Sequence, residues 1–253
     1  MGVLTSEHPK CMTELKAGET ILSRQLRQLS ECGINEVIMT TGYNESILRE
    51  YCAGLDLDIN ITFVRNPDYR TTNYIYSIYL AREYLDDDIF LIHGDIVIEN
   101  EALDLLLNNT NSVMAVSSTI PLPEKDFKVV TDNDGKILRV GVEYFTDAMT
   151  AQPVYKLNRE DWILWLDKIS NLCEGGGLNY YAEKALPEGI IYAQDIRKLL
   201  CSEIDTPEDL AIISSRLREI EARKVYLAFS TDIIHEGHIS IIRKARRLGR
   251  LII

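Results

Sequence analysis

Several features that define whole classes of proteins are missing from this chain of 253 residues. It has no stretch near the ~18 consecutive apolar residues of a membrane span, and no apolar signal-peptide core follows its N-terminus. The cysteines form no CxxC pair; they stand at Cys11, Cys32, Cys52, Cys173 and Cys201. An odd number of scattered thiols argues against a disulfide framework and is typical of a reducing compartment. We therefore expect a cytoplasmic protein that does not insert into a membrane.

Positive charge is also scarce, with 27 Lys and Arg against 39 Asp and Glu and a formal net charge of −12. This balance argues against nucleic-acid binding through a broad basic surface, because neutralising phosphates requires clustered basic residues. It leaves room for a single bound nucleotide, since one pocket needs only local positive charge and often a metal ion. We interpret the basic segment 243–250, RKARRLGR, as a solvated helix face, with a nucleic-acid arm as the alternative.

The first half of the sequence alternates helical and strand patterns, which is typical of an α/β fold with a mostly parallel sheet. Residues 20–32 carry apolar side chains on one helical face, and Gly33 follows as a C-terminal cap. The other patterns in this half are listed here as ranges: strands at 35–43, 58–67 and 87–98, and helices at 46–55 and 75–85.

The second half predicts strands at 112–120, 128–142 and 190–196, the second with a hairpin turn at Asn133-Asp134-Gly135. It also predicts an amphipathic helix at 158–169 and a short helix after three glycines. A further helix starts with Thr206 as N-cap and Pro207 in its first turn. A new strand at 225–230 then follows a linker. We therefore predict two units, residues 1–222 and the beginning of another domain at 223–253.

Three residues in the first unit suggest phosphate and metal chemistry. Asp95 follows an apolar strand, the position where open parallel sheets place ligands, and its carboxylate could hold Mg²⁺. Asp205 likewise ends a short apolar segment before a helix. Lys10, fixed by a preceding proline, offers a positive charge for a nucleotide phosphate. The alternatives are a loop aspartate, a helix cap and an ordinary surface lysine.

Two further segments carry clustered polar side chains. The segment 65–81, RNPDYRTTNYIYSIYLA, could supply stacking and hydrogen bonds to a base or small cation; the alternative is a helix start at Thr72–Asn73 with Tyr76 and Tyr79 in the core. In the segment 230–242, His235 and His238 directly follow a strand. Their imidazoles could donate to phosphate oxygens at a helix N-terminus, whereas two histidines alone make a poor zinc site.

The ordered pieces HPKCMTEL, VIMTTGY, NPDYRTTNYIYSIYLA, IHGDIVIE and EIDTPEDL together resemble the nucleoside-triphosphate transferase superfamily. Residues 1–222 are most similar to phosphocholine and 2-aminoethylphosphonate cytidylyltransferases. The resemblance implies a Rossmann-like, GT-A-like sheet with a small β-rich acceptor subregion. It also implies that Mg²⁺ is the cofactor and that CTP and a small phosphonate or phosphate are the ligands.

The same resemblance implies roles for single residues. Asp95 and Asp205 correspond to the pair that coordinates Mg²⁺, and Lys10 to the lysine that contacts a phosphate. Residues lining the nucleotide and acceptor pocket would be Tyr43, Asn73, Tyr76 and Tyr180. An ionised acceptor oxygen would attack the α-phosphorus of CTP without a general base, and pyrophosphate would leave.

The sequence departs from the family at its start and resembles a second family at its end. The family begins with a strand and a glycine-rich loop, L-A-A-G-x-G-x-R, and Met1-Gly2-Val3-Leu4 starts after them. We therefore expect the first strand to be lacking. Residues 223–253 resemble the opening of an H-x-G-H cytidylyltransferase-like domain, with Asp232, His235 and His238 in its motif. A segment of similar sequence accompanies phosphoenolpyruvate mutase in some fusion proteins, so the resemblance implies a longer fusion protein and a phosphonate acceptor.

Three functional hypotheses remain open from the sequence. The first is a cytidylyltransferase for 2-aminoethylphosphonate, with phosphocholine as the nearest rival. The second is a sugar-phosphate nucleotidyltransferase, and the third is a non-catalytic nucleotide-binding module of a larger fusion protein. Aromatic residues that could surround an ammonium group favour the first hypothesis; they are Tyr74, Tyr76, Tyr144, Tyr180 and Tyr181.

Overall fold

The computed structural model describes residues 8–230 and 232–252, with side chains up to residue 249. The α-helices of these residues are α1 (Ile21–Glu31), α2 (Glu45–Ala53), α3 (Tyr74–Ala81), α4 (Asn100–Leu107), α5 (Arg159–Glu174), α6 (Pro207–Glu221) and α7 (Glu236–Leu248). Short 3₁₀ helices lie at Lys10–Met12, Arg82–Tyr84 and Ala182–Ala185. No described helix is long and apolar enough to cross a membrane. The prediction that the first strand of the family is lacking concerns residues outside the described part of the chain.

The strands follow the same chain order. They are β1 (Glu14–Lys16), β2 (Glu19–Thr20), β3 (Glu36–Thr41), β4 (Asn60–Arg65), β5 (Ile89–Ile92), β6 (Ile96–Ile98), β7 (Val113–Ser117), β8 (Lys128–Thr131), β9 (Ile137–Gly141), β10 (Ala148–Leu157), β11 (Tyr192–Asp195), β12 (Cys201–Glu203), β13 (Lys224–Tyr226) and β14 (Arg250–Ile252). The α/β fold class predicted from the sequence is therefore confirmed.

Local sequence signals account for the helix ends. The side chain of Thr20 caps α1 by accepting a hydrogen bond from the backbone of Ser23, and Gly33 follows the helix with a φ of +83°. Such a left-handed conformation strongly favours glycine. Thr206 caps α6 with Pro207 in the first turn, as predicted. The chain also turns at Gly135, φ +81°, between β8 and β9, so the predicted hairpin is confirmed.

The largest sheet is mixed, which differs from the mostly parallel sheet that the alternating pattern predicted. Its strand order is β11-β7-β10-β8-β9, and β5 also pairs with β10. β10 runs antiparallel to β5, β7 and β8, whereas β7 and β11 are parallel. β3 and β4 form a separate parallel pair. The difference arises because the direction of a strand depends on its connections, which apolar periodicity does not reveal.

The ten-residue strand β10 was not predicted, and its sequence explains why. It contains Pro153, and a proline within a run normally argues against a strand because it cannot donate to the ladder. Here Ala151 pairs with Val116 and Tyr155 with Met114, so three residues of β10 stand opposite one residue of β7. The proline is accommodated in this bulge. At the other edge, β8 pairs with residues 148–150 and β5 with residues 154–157.

The main core lies between this sheet and α5. Trp162, Trp165 and Ile169 are completely buried along one face of the helix, at helical spacing. The ring of Trp165 packs edge-on against Tyr155 with centroids 5.2 Å apart, and its Nε1 donates to the carbonyl of Ala182 at 2.9 Å. The core thereby ties α5 to β10 and to the loop that lines the cavity described below.

Residues 224–252 form a small βαβ unit after α6. β13 and β14 pair in parallel, and α7 connects them. The predicted strand at 225–230 is shorter than expected, because regular pairing ends at Tyr226. The helix contacts the rest of the molecule mainly through Arg247, whose guanidinium pairs with Asp104 at 2.9 Å and whose carbonyl accepts from Asn100 at 2.7 Å. The proposed domain boundary between residues 222 and 223 stays a prediction.

Candidate active site

Antiparallel pairing of β6 with β12 brings together two aspartates that are distant in the sequence. Asp95 lies in the tight turn between β5 and β6, and Asp205 follows β12 directly. In the ladder Ile96 is paired with Glu203, and the backbone of Ile204 donates to the carbonyl of Asp95 at 3.1 Å. Both carboxylates therefore emerge at the same end of this two-stranded sheet.

Lys10 lies between the two carboxylates. Its Nζ donates to Asp95 Oδ2 and to Asp205 Oδ1, both at 2.5 Å. The 3₁₀ helix that carries Lys10 touches the turn before Asp95, since a Cβ built on Gly94 would lie 3.4 Å from the Cβ of Cys11. Burial alone would lower the pKa of Lys10, but hydrogen bonds and charge from Asp205 and Asp95 raise it overall. The ammonium is therefore protonated and acts as the cation of this cluster.

The helix cap of α6 is made by other residues, so the carboxylate of Asp205 is left for the site. Asp209 accepts hydrogen bonds from the backbone N–H groups of Asp205 and Thr206, at 3.0 and 2.7 Å. The Asp205 side chain is 59% exposed, compared with 21% for Asp95. Ligands thus reach the pair from the Asp205 side.

Two further ionisable groups, which the sequence reasoning did not select, join this cluster. His93 and Glu203 offer ligand atoms that lie within 4.8 Å of one another and of a carboxylate oxygen of Asp95. Burial, with the nearby charges of Asp95 and Asp205, raises the pKa of Glu203 to about 7. Burial lowers the pKa of His93, although Glu183 and Asp95 oppose this effect. In the sequence, His93 and Glu203 each lie two residues before one of the two strand-end aspartates, and this position is the signal that could have identified them.

A cavity of about 310 Å³ opens beside these groups. Its wall contains Tyr74, Phe127 and Tyr181 together with the bulge residues Gln152 and Pro153. The rings of Phe127 and Tyr181 meet edge to face with centroids 5.3 Å apart. A neighbouring cavity of about 460 Å³ shares Phe127 and Tyr181 with the first. The site therefore has an acidic end and an aromatic end.

Glu183 fixes the aromatic end from behind. This carboxylate is 6% exposed and accepts hydrogen bonds from the hydroxyl groups of Tyr74 and Tyr155. Burial and the charge of Glu183 raise the pKa of both phenols well above the usual value, so they remain neutral donors. Tyr74 in turn meets His93 edge to face with centroids 4.5 Å apart. The aromatic wall and the acidic cluster are thus joined by the packing contact between Tyr74 and His93.

The other residues selected from the sequence lie in different surroundings. Tyr180 lines the neighbouring cavity of about 460 Å³. Asn73 caps α3 by accepting from the backbone of Tyr74, and Tyr76 stacks on Tyr79 with centroids 6.0 Å apart. These two positions agree with the alternative of a helix start with tyrosines in the core. Tyr43 is 41% exposed, and neither cavity contains it, Asn73 or Tyr76 in its wall.

The H-x-G-H segment forms a helix cap in the C-terminal unit. His235 Nδ1 accepts from the backbone of Gly237 at 3.1 Å, and His238 Nδ1 accepts from the backbone of His235 at 3.4 Å. Their rings lie 4.0 Å apart, and the Asp232 side chain is exposed. A phosphate-binding role for these three residues stays a prediction.

The acidic cluster is chemically suited to a divalent cation. Carboxylate oxygens are the ligands that Mg²⁺ prefers, and the Lys10 ammonium shows that a cation fits between Asp95 and Asp205. Asp95 Oδ1 is buried and has no hydrogen-bond partner among the described residues. Such an atom is costly to bury unless another group binds it. The residues present therefore fit the metal that the sequence resemblance implies.

Comparison with known proteins shows the same architecture and family. The chain is 31% identical over 227 residues to CMP-5'-(3-aminopropyl)phosphonate synthase from Streptomyces rubellomurinus. The match includes 83% of this chain and 35% of the synthase. It is 25% identical over 153 residues to CTP:phosphoglutamine cytidylyltransferase from Campylobacter jejuni, using 54% of this chain and 59% of that protein. The chain thus spans about a third and about three-fifths of these two relatives.

A solved structure and a family model complete the comparison. The CTP:phosphocholine cytidylyltransferase of Streptococcus pneumoniae shares the fold with a TM-score of 0.66 and 19% identity, covering 85% of this chain and 92% of that one. The model of the MobA-like NTP transferase domain matches residues 1–130, which is more than half of the sequence. This chain therefore belongs to the MobA-like NTP transferase domain family.

Proposed function

We propose that this chain is a Mg²⁺-dependent cytidylyltransferase that transfers CMP from CTP to a small phosphonate or phosphate, with 2-aminoethylphosphonate as the preferred acceptor. The observation that carries the proposal is the position of Lys10 between Asp95 and Asp205, two carboxylates that line a cavity with an aromatic wall. The relatives named above support CTP as donor, because both sequence relatives are named for CMP or CTP chemistry.

The residues would divide the work between charge and position. Asp95 and Asp205 would hold Mg²⁺, which when bound offsets the charge of the triphosphate and of the leaving pyrophosphate. The Lys10 ammonium would contact a phosphate oxygen of the bound ligand. The acceptor oxygen is already ionised at neutral pH, so no residue has to remove a proton from it. Positioning and electrostatic stabilisation then supply the catalysis.

The acceptor end of the cavity suits a small molecule with an ammonium group. Tyr74, Phe127 and Tyr181 present ring faces or edges within one wall, and aromatic faces attract a cation within about 6 Å. Tyr144 and Tyr180 lie in the neighbouring cavity, which shares two of these rings. Tyr76 packs elsewhere, so we propose Tyr74 and Tyr181 rather than Tyr76 for ammonium recognition.

Pyrophosphate release tests this function. The full chain is incubated with Mg²⁺ and CTP, and 2-aminoethylphosphonate, phosphocholine and glucose 1-phosphate are compared as acceptors. We expect the highest kcat/KM with 2-aminoethylphosphonate. Asp95→Asn should lower kcat/KM by on the order of 10²-fold or more, because the metal supplies several kcal/mol of transition-state stabilisation. Asp134→Asn is the control, since Asp134 is exposed in the turn between β8 and β9 and lines neither cavity.

The alternatives correspond to distinct outcomes of the same assay. Preference for phosphocholine would reassign the acceptor, and preference for the sugar phosphate would place the chain among enzymes that make nucleotide sugars. CTP binding without release from any acceptor would contradict the proposal and favour a nucleotide-binding module. That residues 223–253 begin a second nucleotidyltransferase-like domain of a longer protein stays a separate proposal.

A further inference from the structure

Two buried polar atoms beside the Lys10 cluster have no hydrogen-bond partner among the described residues. They are Nε2 of His93 and Oδ1 of Asp95. Leaving a buried donor or acceptor without a partner costs about 1–3 kcal/mol. Two such atoms on residues 93 and 95, within one turn, leave two potential ligand atoms available to a bound group.

The Glu203 carboxylate lies with these two side chains. The three residues offer ligand atoms that all lie within 4.8 Å of one another. Two ligands of one metal ion at bond lengths of about 2.0–2.2 Å are separated by at most ~4.4 Å. The three side chains therefore lie close enough together to contribute to one coordination shell.

Local charge also calls for a further cation. Asp95, Glu203 and Asp205 meet at the ends of β6 and β12. Among the described residues, Lys10 is the cation that forms ion pairs with Asp95 and Asp205. Lys10 pairs with Asp95 through Oδ2 and with Asp205 through Oδ1, so a single ammonium faces three acidic side chains here. A buried negative charge without a counter-ion is strongly unfavourable.

The backbone of His93 and its imidazole ring each contact a group that is not part of the cluster. Gln25 Nε2 donates to the carbonyl of His93 at 2.9 Å and to that of Ile96 at 2.8 Å. The ring is flanked by Tyr74, whose hydroxyl is bonded to Glu183. A ligand whose ring is fixed in advance loses little conformational freedom when a metal binds, and supporting contacts of this kind tune metal affinity.

We propose that His93, Asp95 and Glu203 form a second divalent-cation site, separate from the Lys10 position between Asp95 and Asp205. Asp95 would serve both positions with different oxygens. Because the second site includes an imidazole, it would select Mn²⁺ over Mg²⁺, whereas the all-carboxylate position accepts either ion. The proposal shares Asp95 with the proposed cytidylyltransferase site but requires neither CTP nor turnover.

Mn²⁺ binding to the full chain without nucleotide tests the second site. Free Mn²⁺ is followed by electron paramagnetic resonance in excess Mg²⁺, and electron spin-echo spectroscopy of the bound ion detects coupling to an imidazole nitrogen. We expect one Mn²⁺ to remain bound in Mg²⁺ and to show the nitrogen coupling. His93→Gln should abolish the coupling, and Glu203→Gln should weaken binding at least about tenfold while the coupling persists at saturating Mn²⁺.

Control variants separate this proposal from the proposed function. Asp205→Asn should leave the nitrogen-coupled Mn²⁺ in place, although it disrupts the Lys10-side position. Asp134→Asn should change nothing, since Asp134 is exposed in the turn between β8 and β9 and lines neither cavity. Circular dichroism verifies that each variant is folded. Bound Mn²⁺ without nitrogen coupling, or unchanged affinity in both His93→Gln and Glu203→Gln, would overturn the second site whatever the pyrophosphate assay shows.

Discussion

The transferase body, residues 8–222, and the C-terminal unit, residues 224–252, bury their apolar side chains very differently. Of the buried apolar residues that the structure describes, Ala245 alone lies in the C-terminal unit. In that unit Tyr226, Ile233 and Ile234 are 70%, 77% and 64% exposed. The body instead buries two tryptophans completely. Regular secondary structure is therefore present in both regions, but a packed core is present in one.

The comparison teaches that the two regions must be stabilised by different interactions. Core burial contributes about 25 cal/mol for each Å² of apolar surface, and the body has several buried clusters to supply it. The described part of the C-terminal unit buries one apolar side chain, that of Ala245, so core burial contributes little there. Its described ion pairs and side-chain hydrogen bonds with the body are centred on Arg247. We expect it to respond to the loss of those contacts without affecting the body.

The largest effect is expected from a change in the core of the body. Trp165→Ala removes a completely buried ring and its hydrogen bond to Ala182, and should lower the free energy of unfolding by about 3–5 kcal/mol. Urea denaturation measures this loss. Leu164→Ala, on the same helix and 53% exposed, is the control and should cost less than about 1 kcal/mol. Equal losses in the two variants would contradict the conclusion that the buried core stabilises the body.

A smaller and local effect is expected at the contact between the regions. Arg247→Ala removes the pair with Asp104 and the hydrogen bond from the guanidinium to Cys32 Sγ at 3.1 Å. We expect the docking of α7 to weaken by about 1–3 kcal/mol, and hydrogen exchange in residues 236–248 to accelerate about tenfold or more.

The neighbouring residue provides the control for this second prediction. Arg246 is exposed and forms no ion pair that the described residues show, so Arg246→Ala should leave exchange in α7 unchanged. Exchange in β7 and β10 should be the same in both variants. Acceleration throughout the body in Arg247→Ala would show that the two regions unfold together.

The smallest effect is expected on the exposed surface of the C-terminal unit. Ile234 is 64% exposed, so Ile234→Ser removes little buried area and should change the free energy of unfolding by no more than about 0.5 kcal/mol. Thermal denaturation of the full chain measures it. A loss above about 1 kcal/mol would reveal that this side chain is covered in solution, and the contrast in burial would then be smaller than the structure indicates.

The sequence predicted elements best where the signals are local. Gly33 and Thr206 mark helix ends through capping chemistry that involves only near neighbours, and each lies where it was expected. β10 was missed because Pro153 breaks the strand pattern, and its accommodation depends on β7, which is distant in the sequence. The mixed sheet was missed for the same reason, since strand direction is a property of the whole chain.

The candidate site divides in the same way. The sequence selected Lys10, Asp95 and Asp205 as ligands of one phosphate and metal site, and the structure brings their charged groups together. It did not select His93, Glu203 or Glu183, because their importance comes from burial and from neighbours across the fold. For Asn73 and Tyr76, the helix cap and the ring stacking correspond to the structural alternative that the sequence left open.

The bulge in β10 also explains where the cavity can exist. One edge of this strand is shared between β8 and β5, and the residues between their contact regions include Gln152 and Pro153, which line the cavity. At the bulge, three residues of β10 stand opposite one residue of β7, so β10 has two additional residues. Because side chains alternate with a period of two, this even number keeps the same alternation on both sides of the bulge. The sheet therefore has a gap beside β10 where the cavity lies. The apolar side chains of β10 stay on the same face of the sheet before and after the bulge.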